Sequence, residues 1–329
     1  MIRAEKNTGE AACKKTTIGG QALIEGLMMI GPEKKAMAVR KPDGEIIIEE
    51  LPMSKWSGMA NVPFFRGSIR LFRQLVTGTR ALLKSAEYAE DETASDETEE
   101  GSVKKKSRLD TFFEKHSELM LYISAIIGIL FSVVLFILLP GLITDLLRDF
   151  VFKNADVTQR GTSLALTAIE GVIRITIFIA YLALASRMKE IKRVWQYHGA
   201  EHKTIACYEA REELTVENAR KHSRFHPRCG TAFMFTVLIV SIIVFAFMGW
   251  RNRWLNMLIR FALVPIIAGI AYEIIRWTGR FDNWLTRAVA APGLWLQRLT
   301  TADPDDSMLE VAITAMKAVL PAQDDKDNW

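Results

Sequence analysis

The sequence predicts a mainly α-helical membrane protein with four transmembrane helices, a small β-rich cytoplasmic unit at the N-terminus and a cytoplasmic helical loop rich in histidine. Three observations predict this fold class: four long apolar runs, a turn signal between two β-rich segments before them, and a cluster of histidines between the second and third runs. A mean hydropathy of +0.11 fits a mixture of membrane-embedded and polar parts. The three cysteines are too few for a disulfide framework.

Each apolar run is long enough to cross a bilayer core, which takes about 20 helical residues. The runs cover 119–144, 161–186, 229–250 and 254–277. The first and third carry no charge, and a buried helix of a soluble domain rarely stays uncharged over such a length. Residues 1–20 contain no apolar core segment, so a secretory signal peptide is not expected.

The charge of the short loops predicts the orientation of the spans, because cytoplasmic loops carry an excess of lysine and arginine. Five basic residues lie between 104 and 115, and ten lie between Arg187 and Arg228. The loops on the other face hold only three and two. Both termini and the central loop are therefore predicted to be cytoplasmic. The net charge of +4 is mild and spread along the chain, so nucleic-acid binding is not predicted.

The polar part before the first span divides into a β-rich segment, a basic helix and an acidic linker. Pro42-Asp43-Gly44 is a turn signal between two β-rich runs, and a basic amphipathic helix after Pro63 is expected on the bilayer surface or against the bundle. The acidic stretch at 87–100 has nothing to bury and is predicted to be disordered. The predicted boundaries are 1–62 for the β-rich unit, 63–86 for the basic helix, 87–110 for the linker, 118–186 for the first two spans, 187–230 for the His-rich loop, 231–277 for the last two spans, and 278–329 for an interfacial helix and tail.

Four of the five histidines fall in the central loop. His198 and His202 stand four residues apart, so on a helix both imidazoles project from one face, and His222 and His226 repeat the spacing. Pro227 disfavours helical backbone at His226, so the second helix is predicted to end there. Thr215 is its candidate N-cap.

These histidines predict a metal site. Imidazole and thiolate are the ligands of zinc and related borderline metals. Two helices that each bring one histidine pair would close a four-coordinate site, in which a cysteine replaces one ligand. The predicted cofactor is therefore a divalent metal ion, zinc first, and the candidate ligands are His198, His202, His222, His226 and Cys229. Surface or core packing is the ordinary explanation of a single histidine pair, but two pairs in a chain with so little histidine favour metal binding.

The segment from His198 to His202 also reads His-x-x-Glu-His, the order used by inverted zinc peptidases. Glu201 is then the candidate catalytic residue, a general base for water that the metal activates. This pattern needs a further ligand, for which Glu25 and Glu273 are candidates. A closed four-ligand site would be structural, whereas an open position would favour catalysis.

Ionisable residues inside a span are costly and point to function by default. Glu170 and Arg174 stand four apart in the second run, so they are expected to pair with each other or to line a substrate or proton pathway. Cys207 falls on a different face of its helix from His202 and is expected to be a packing residue.

Three motifs resemble the signatures of the YqhQ-type family of bacterial membrane proteins. They are GGQALIEGLMM at 19–29, YHGAEHK at 197–203 and HSRFHPRCG at 222–230. The likeness covers residues 18–300 apart from the acidic linker. Ile30 departs from it, because the family often has arginine at this position. The resemblance implies a multi-pass protein of the bacterial inner membrane, of a family commonly labelled a predicted metal-dependent enzyme, without naming its reaction or substrate.

Two hypotheses of function follow. The first is a membrane-anchored metal-dependent hydrolase that acts on a lipid, a membrane-protein segment or a nascent chain. Its N-terminal unit, including Gln21 and Glu25, would supply substrate contacts. The second is a non-enzymatic scaffold or membrane-protein biogenesis factor with a structural metal. A transporter is a weaker third hypothesis, since four spans make a small pathway and a homo-oligomer would be needed.

Overall fold

The computed structural model describes residues 15–53, 62–63, 65–90, 123, 127–128, 130–151, 159–249, 253–281 and 283–322. Residues 87–90, predicted to begin a disordered linker, are helical, so that prediction is wrong at its start. The rest of the acidic linker and the start of the first apolar run lie outside the described residues. Along the chain the elements are β1 (Gly19–Leu23), β2 (Gly26–Ile30), β3 (Lys35–Arg40), β4 (Ile46–Leu51), α1 (Phe65–Glu90), a π-helical turn (Val134–Leu138), α2 (Leu139–Val151), α3 (Arg160–Ala185), α4 (Lys189–Glu209), α5 (Val216–Lys221), α6 (Gly230–Met248), α7 (Arg253–Arg280), α8 (Trp284–Thr300) and α9 (Asp306–Val319).

Four helices among the described residues are long and apolar enough to cross a membrane, which confirms the four predicted spans. They are Leu130–Val151, Arg160–Ala185, Gly230–Met248 and Trp254–Arg280. Large apolar side chains on these helices are exposed, including Phe150, Phe247 and Trp254. Such apolar surface on a chain of this kind is explained by contact with the lipid bilayer. The side of the membrane on which each terminus lies stays a prediction.

The first span extends further along the chain than predicted. The uncharged run ends at Thr144, but the helix continues to Val151 through a turn that contains the buried Asp145. A π-helical turn precedes Pro140, and the amide of Leu139 donates to the carbonyl of Val134 across it. Such a wider turn accommodates proline, which has no amide hydrogen and whose ring clashes with an α-helical carbonyl.

The N-terminal unit is a four-stranded antiparallel sheet in the order β1-β2-β3-β4, as the predicted β-rich unit requires. The predicted turn joins β3 to β4, and Gly44 there has a φ of +90°, which glycine adopts without strain. Alternate side chains separate the two faces of the sheet. One face packs against α4 and α9 through Leu27, Met29, Ala36 and Ala38. The other face packs against α1 through Leu23, Met28 and Met37.

The basic helix α1 lies against the bundle, one of the two predicted places. Its Arg66 donates to the Glu273 carboxylate of α7 at 2.7 Å, and Arg70 donates to the hydroxyl of Tyr272. Gly67 is in close contact with Tyr272, so the two helices approach closely there. The helix therefore connects the sheet to the fourth span.

The central loop forms two helices, α4 and α5, as predicted. Thr215 caps α5, since its hydroxyl oxygen accepts from the amide of Asn218 at 3.3 Å. The predicted end of α5 at His226 is wrong, because the helix stops at Lys221. The Lys203 ammonium of α4 donates to the carbonyls of Arg220 at 3.1 Å and of His222 at 2.7 Å, which satisfies the end of this short helix.

Candidate metal centre

The site forms where α4 meets the start of α6. His198 and His202 lie on one face of α4, as predicted, with ring centroids 4.4 Å apart. Cys229 is the N-cap of α6, and its sulfur accepts from the amide of Thr231. His198 Nε2 lies 3.1 Å from the Cys229 sulfur. All three side chains are buried, and their ligand atoms lie within 4.8 Å of one another.

Both imidazoles are oriented through the other ring nitrogen. His198 Nδ1 donates to the carbonyl oxygen of Thr300 at 2.7 Å, and His202 Nδ1 donates to that of Arg224 at 2.6 Å. A carbonyl acceptor assigns the proton to Nδ1, so Nε2 of each ring carries a lone pair when the ring is neutral. Metal-binding histidines use this arrangement, with one nitrogen on the metal and the other on a carbonyl or carboxylate.

The glycine between the two histidines allows the segment after α8 to reach α4. A Cβ on Gly199 would lie closer than 3.0 Å to the Ala302 carbonyl oxygen. The Ala302 amide donates to the carbonyl of Trp195 at 2.9 Å, which ties this segment to α4. This contact positions the neighbouring Thr300 carbonyl beside His198 Nδ1.

Glu201 is buried between α4 and the first strand of the sheet. A Cβ on Gly20 would lie 3.0 Å from the Glu201 carboxyl carbon and 2.7 Å from the Met28 carbonyl oxygen, so only glycine fits there. Burial raises the pKa of Glu201, and the charges of His198 and His202 lower it by less. The nearby Gly20 backbone amide also lowers the pKa of the Glu201 carboxyl. The N-terminal motif thus meets the histidine helix, a contact that sequence reasoning left open.

The charges of the cluster favour a deprotonated thiol. Burial raises the pKa of Cys229, but His198 and His202 outweigh burial and hold the pKa well below its usual range. Burial lowers the pKa of His198, yet the charge and hydrogen bond of Cys229 outweigh it and raise the pKa to about 9. A thiolate is the form of cysteine that binds a metal or attacks as a nucleophile.

The other predicted histidines lie outside this cluster. His226 Nε2 lies 3.3 Å from the Glu209 carboxylate, and the ring centroid is 5.7 Å from that of His202. The side chain of Gln297 holds the amide and the carbonyl of His226. His222 Nε2 lies 3.2 Å from the carboxylate of Glu212. The early end of α5 places these two histidines on an irregular segment rather than on one helix face, so the predicted four-histidine arrangement is not formed.

The predicted acidic and amide candidates have other partners. Glu25, at the β1–β2 turn, pairs through both carboxylate oxygens with Arg193. Glu273 pairs with Arg66. Gln21 packs on α1, where its oxygen accepts from Gln74 at 3.4 Å. The structure therefore does not bring Glu25, Glu273 or Gln21 to the three ligand atoms.

Inside the spans, Glu170 and Arg174 pair at 2.6 Å, as their spacing predicted. Arg260 of α7 pairs with the same carboxylate oxygen. Both guanidinium groups lie over the ring of Phe245. The third member of this network comes from a distant helix, which spacing along one helix does not reveal.

Comparisons with known proteins agree with the three motifs. The family model described as "Protein of unknown function (DUF1385)" matches residues 62–322. The chain is 35% identical over 306 residues to "Uncharacterized protein YqhQ" of Bacillus subtilis (strain 168), and the match covers 92% of each protein. No solved structure matches the chain. The chain therefore belongs to this family of YqhQ-like proteins, which the motifs in its sequence had indicated.

Proposed function

We propose that this membrane protein is a metal-dependent hydrolase whose zinc-type site is formed by His198, His202 and Cys229. One observation carries the proposal: three buried ligand side chains converge, and both imidazoles are fixed through Nδ1 on backbone carbonyls. Three protein ligands with a further position for water or substrate is the usual composition of a catalytic zinc site.

The donor set fits zinc by its chemistry. A thiolate and imidazole nitrogens are ligands that zinc prefers, and the low pKa of Cys229 favours the required thiolate. Binding of the ion would displace the proton that His198, with a pKa of about 9, carries at neutral pH. A zinc ion held here would act as a Lewis acid and activate water at neutral pH.

Glu201 is the proposed general acid and base of this site. Its carboxyl lies on the same helix as the two histidines and has a pKa that burial raises. A raised pKa brings a carboxyl closer to the pH at which it both accepts and returns a proton. The Gly20 backbone lies against the carboxyl, so β1 limits where Glu201 can lie relative to the ligands.

We place the substrate at the membrane surface, where α3 leads into α4 and Cys229 leads into α6. A lipid or a membrane-protein segment reaches such a site from the bilayer. The excess of basic residues in the central loop supports a cytoplasmic location for it.

A structural metal in a scaffold or biogenesis factor is the second candidate. Burial of all three ligands and of Glu201 beneath β1 favours it, because structural sites are closed to solvent. The two candidates differ in the role of Glu201, which only the hydrolase requires.

Metal content of the detergent-purified full chain, measured by elemental mass spectrometry, tests the site. We expect His202→Ala to lose the zinc of this site, whereas Glu201→Gln retains it. If Glu201→Gln retains zinc but fails to restore function to a deletion strain, the hydrolase is supported. If Glu201→Gln restores function fully, the scaffold is supported. Wild-type protein without zinc, or zinc that persists unchanged in His202→Ala, overturns the metal proposal.

A further inference from the structure

A second group of metal-ligand side chains lies at the far end of α4. Cys207, Glu212 and His222 bring one thiol, one carboxylate and one imidazole within 4.8 Å of each other. Among the described residues, this group and the one at Cys229 are the two sets of three or more such atoms that converge in this way. We propose that Cys207, Glu212 and His222 form a second, solvent-accessible site for a zinc-type divalent cation.

Three local features of the chain assemble this group. Cys207 lies in the last turn of α4, and His222 is the C-cap of α5. Between them Arg211 adopts a φ of +59°, which costs energy for a residue other than glycine. This residue reverses the chain so that the Glu212 amide donates to the Cys207 carbonyl at 3.2 Å. The reversal brings the Glu212 carboxylate over the end of α4.

The histidine end of the site is also fixed. Lys203 donates to the carbonyl of His222 at 2.7 Å and thereby holds its backbone. His222 Nε2 lies 3.2 Å from the Glu212 carboxylate. Two ligand atoms at this separation can approach one ion with small side-chain rotations, because zinc–nitrogen and zinc–oxygen bonds are about 2 Å long.

Exposure distinguishes this site from the one at Cys229. Cys207 is fully buried, but 20% of the His222 side chain and 42% of the Glu212 side chain are exposed. Three protein ligands at a solvent-exposed edge leave a position for water. Such a site exchanges its ion with solution more readily than a closed one. This inference does not depend on the hydrolase proposal, since it uses none of the same side chains.

Cobalt(II) titration of the metal-stripped full chain in detergent tests the proposal, because a thiolate ligand gives cobalt a strong charge-transfer absorption. We expect about two cobalt ions per chain for the wild type, each with a thiolate signal. His222→Ala is expected to lose one of them and His202→Ala, the matched control, the other. Equal stoichiometry and equal thiolate signal in wild type and His222→Ala overturn the second site.

A variant at the exposed Glu212 distinguishes loss of metal binding from loss of folding. Glu212→Gln keeps the side-chain volume and is expected to weaken the second ion while the thermal unfolding temperature of the metal-free chain stays unchanged. The variants also separate the two proposals. One cobalt ion that only His202→Ala removes overturns the second site, whereas one that only His222→Ala removes supports it and contradicts the site at Cys229.

Discussion

Replacement of Gly199 by alanine tests whether close packing on α4 positions the proposed metal ligands. An isolated helix gains about 1 kcal/mol from this change, because alanine has the higher helix propensity. The structure predicts the opposite sign. The new Cβ would lie closer than 3.0 Å to the Ala302 carbonyl oxygen and 3.2 Å from its carbonyl carbon, so backbone must move.

The expected magnitude follows from these two effects. Overpacking costs about 1–3 kcal/mol, and the upper value applies because the clash is with backbone rather than with a flexible side chain. After the gain in helix propensity, Gly199→Ala should destabilise the protein by about 2 kcal/mol. This corresponds to a fall of about 4 °C in the thermal unfolding temperature of a chain of this size. The displaced segment carries Thr300, so zinc content should fall as well.

The assay compares thermal unfolding and metal content of Gly199→Ala with those of Gly161→Ala. Gly161 lies in α3 with nothing within 4 Å of a Cβ, so its replacement should be neutral or stabilising by up to about 1 kcal/mol. An unfolding temperature of Gly199→Ala that rises as in the control would refute the packing argument. If the unfolding temperature of Gly199→Ala falls but its zinc content is unchanged, the packing argument holds and the argument that this packing orients the ligands is refuted.

Three further predictions concern acidic residues. Glu170→Gln removes the anion shared by the buried guanidinium of Arg174 and the partly buried guanidinium of Arg260. Denaturant unfolding in detergent should therefore show a loss of about 3–5 kcal/mol in the free energy of unfolding, and a loss below about 1 kcal/mol contradicts the network. Burial raises the pKa of Glu209, but His226 and Arg228 lower it by more, so the folded pKa lies below the unfolded value of 4.5. The stabilisation from this group is therefore present above pH 4.5 and is lost as pH falls through the folded pKa. Glu209→Gln should remove this part of the pH dependence of unfolding. Glu25→Asn keeps a residue that tolerates the positive φ of 50°. It loses a half-exposed ion pair and a 3.4 Å hydrogen bond from the Tyr197 hydroxyl, so stability should change by less than about 1 kcal/mol. Unchanged activity of the variant in cells would argue against a substrate contact.

The sequence predicted the spans because length and apolarity alone determine which segments cross a bilayer. It did not predict where the first span ends, since Asp145 is buried there and the uncharged run stops one residue earlier. The end of α5 was also missed. Pro227 determines only the last residue at which the helix can end. The helix ends earlier, where Lys203 of α4 donates to the carbonyls of Arg220 and His222, and this contact cannot be read from the local sequence.

At the candidate site, too, local sequence predicted some features and not others. The spacing of His198 and His202 sufficed to place them on one face, because helix periodicity is a local property. The acceptors that orient these histidines were not predictable, because they are backbone carbonyls of Thr300 and Arg224 and carry no signal in the side-chain pattern. Cys207 was expected to be a packing residue. It does lie in the core, yet its thiol also lies beside His222 and Glu212, which the chain reversal at Arg211 brings near it.

The three sequence motifs are distant in the chain, but they meet at one place in the fold. Gly20 of the first motif contacts Glu201 of the second, and Cys229 of the third contacts His198 of the second. The first contact demands glycine, because a Cβ at position 20 would lie 2.7 Å from the Met28 carbonyl oxygen and 3.0 Å from the Glu201 carboxyl carbon. The apolar side chains of the sheet cover the helix around this point, and the Gly20 backbone lies beside the buried Glu201 carboxyl, where it offsets part of the rise in pKa that burial causes. The apolar face of the sheet accounts for its docking on the histidine helix, and Gly20 within that contact leaves the space that the Glu201 carboxyl occupies.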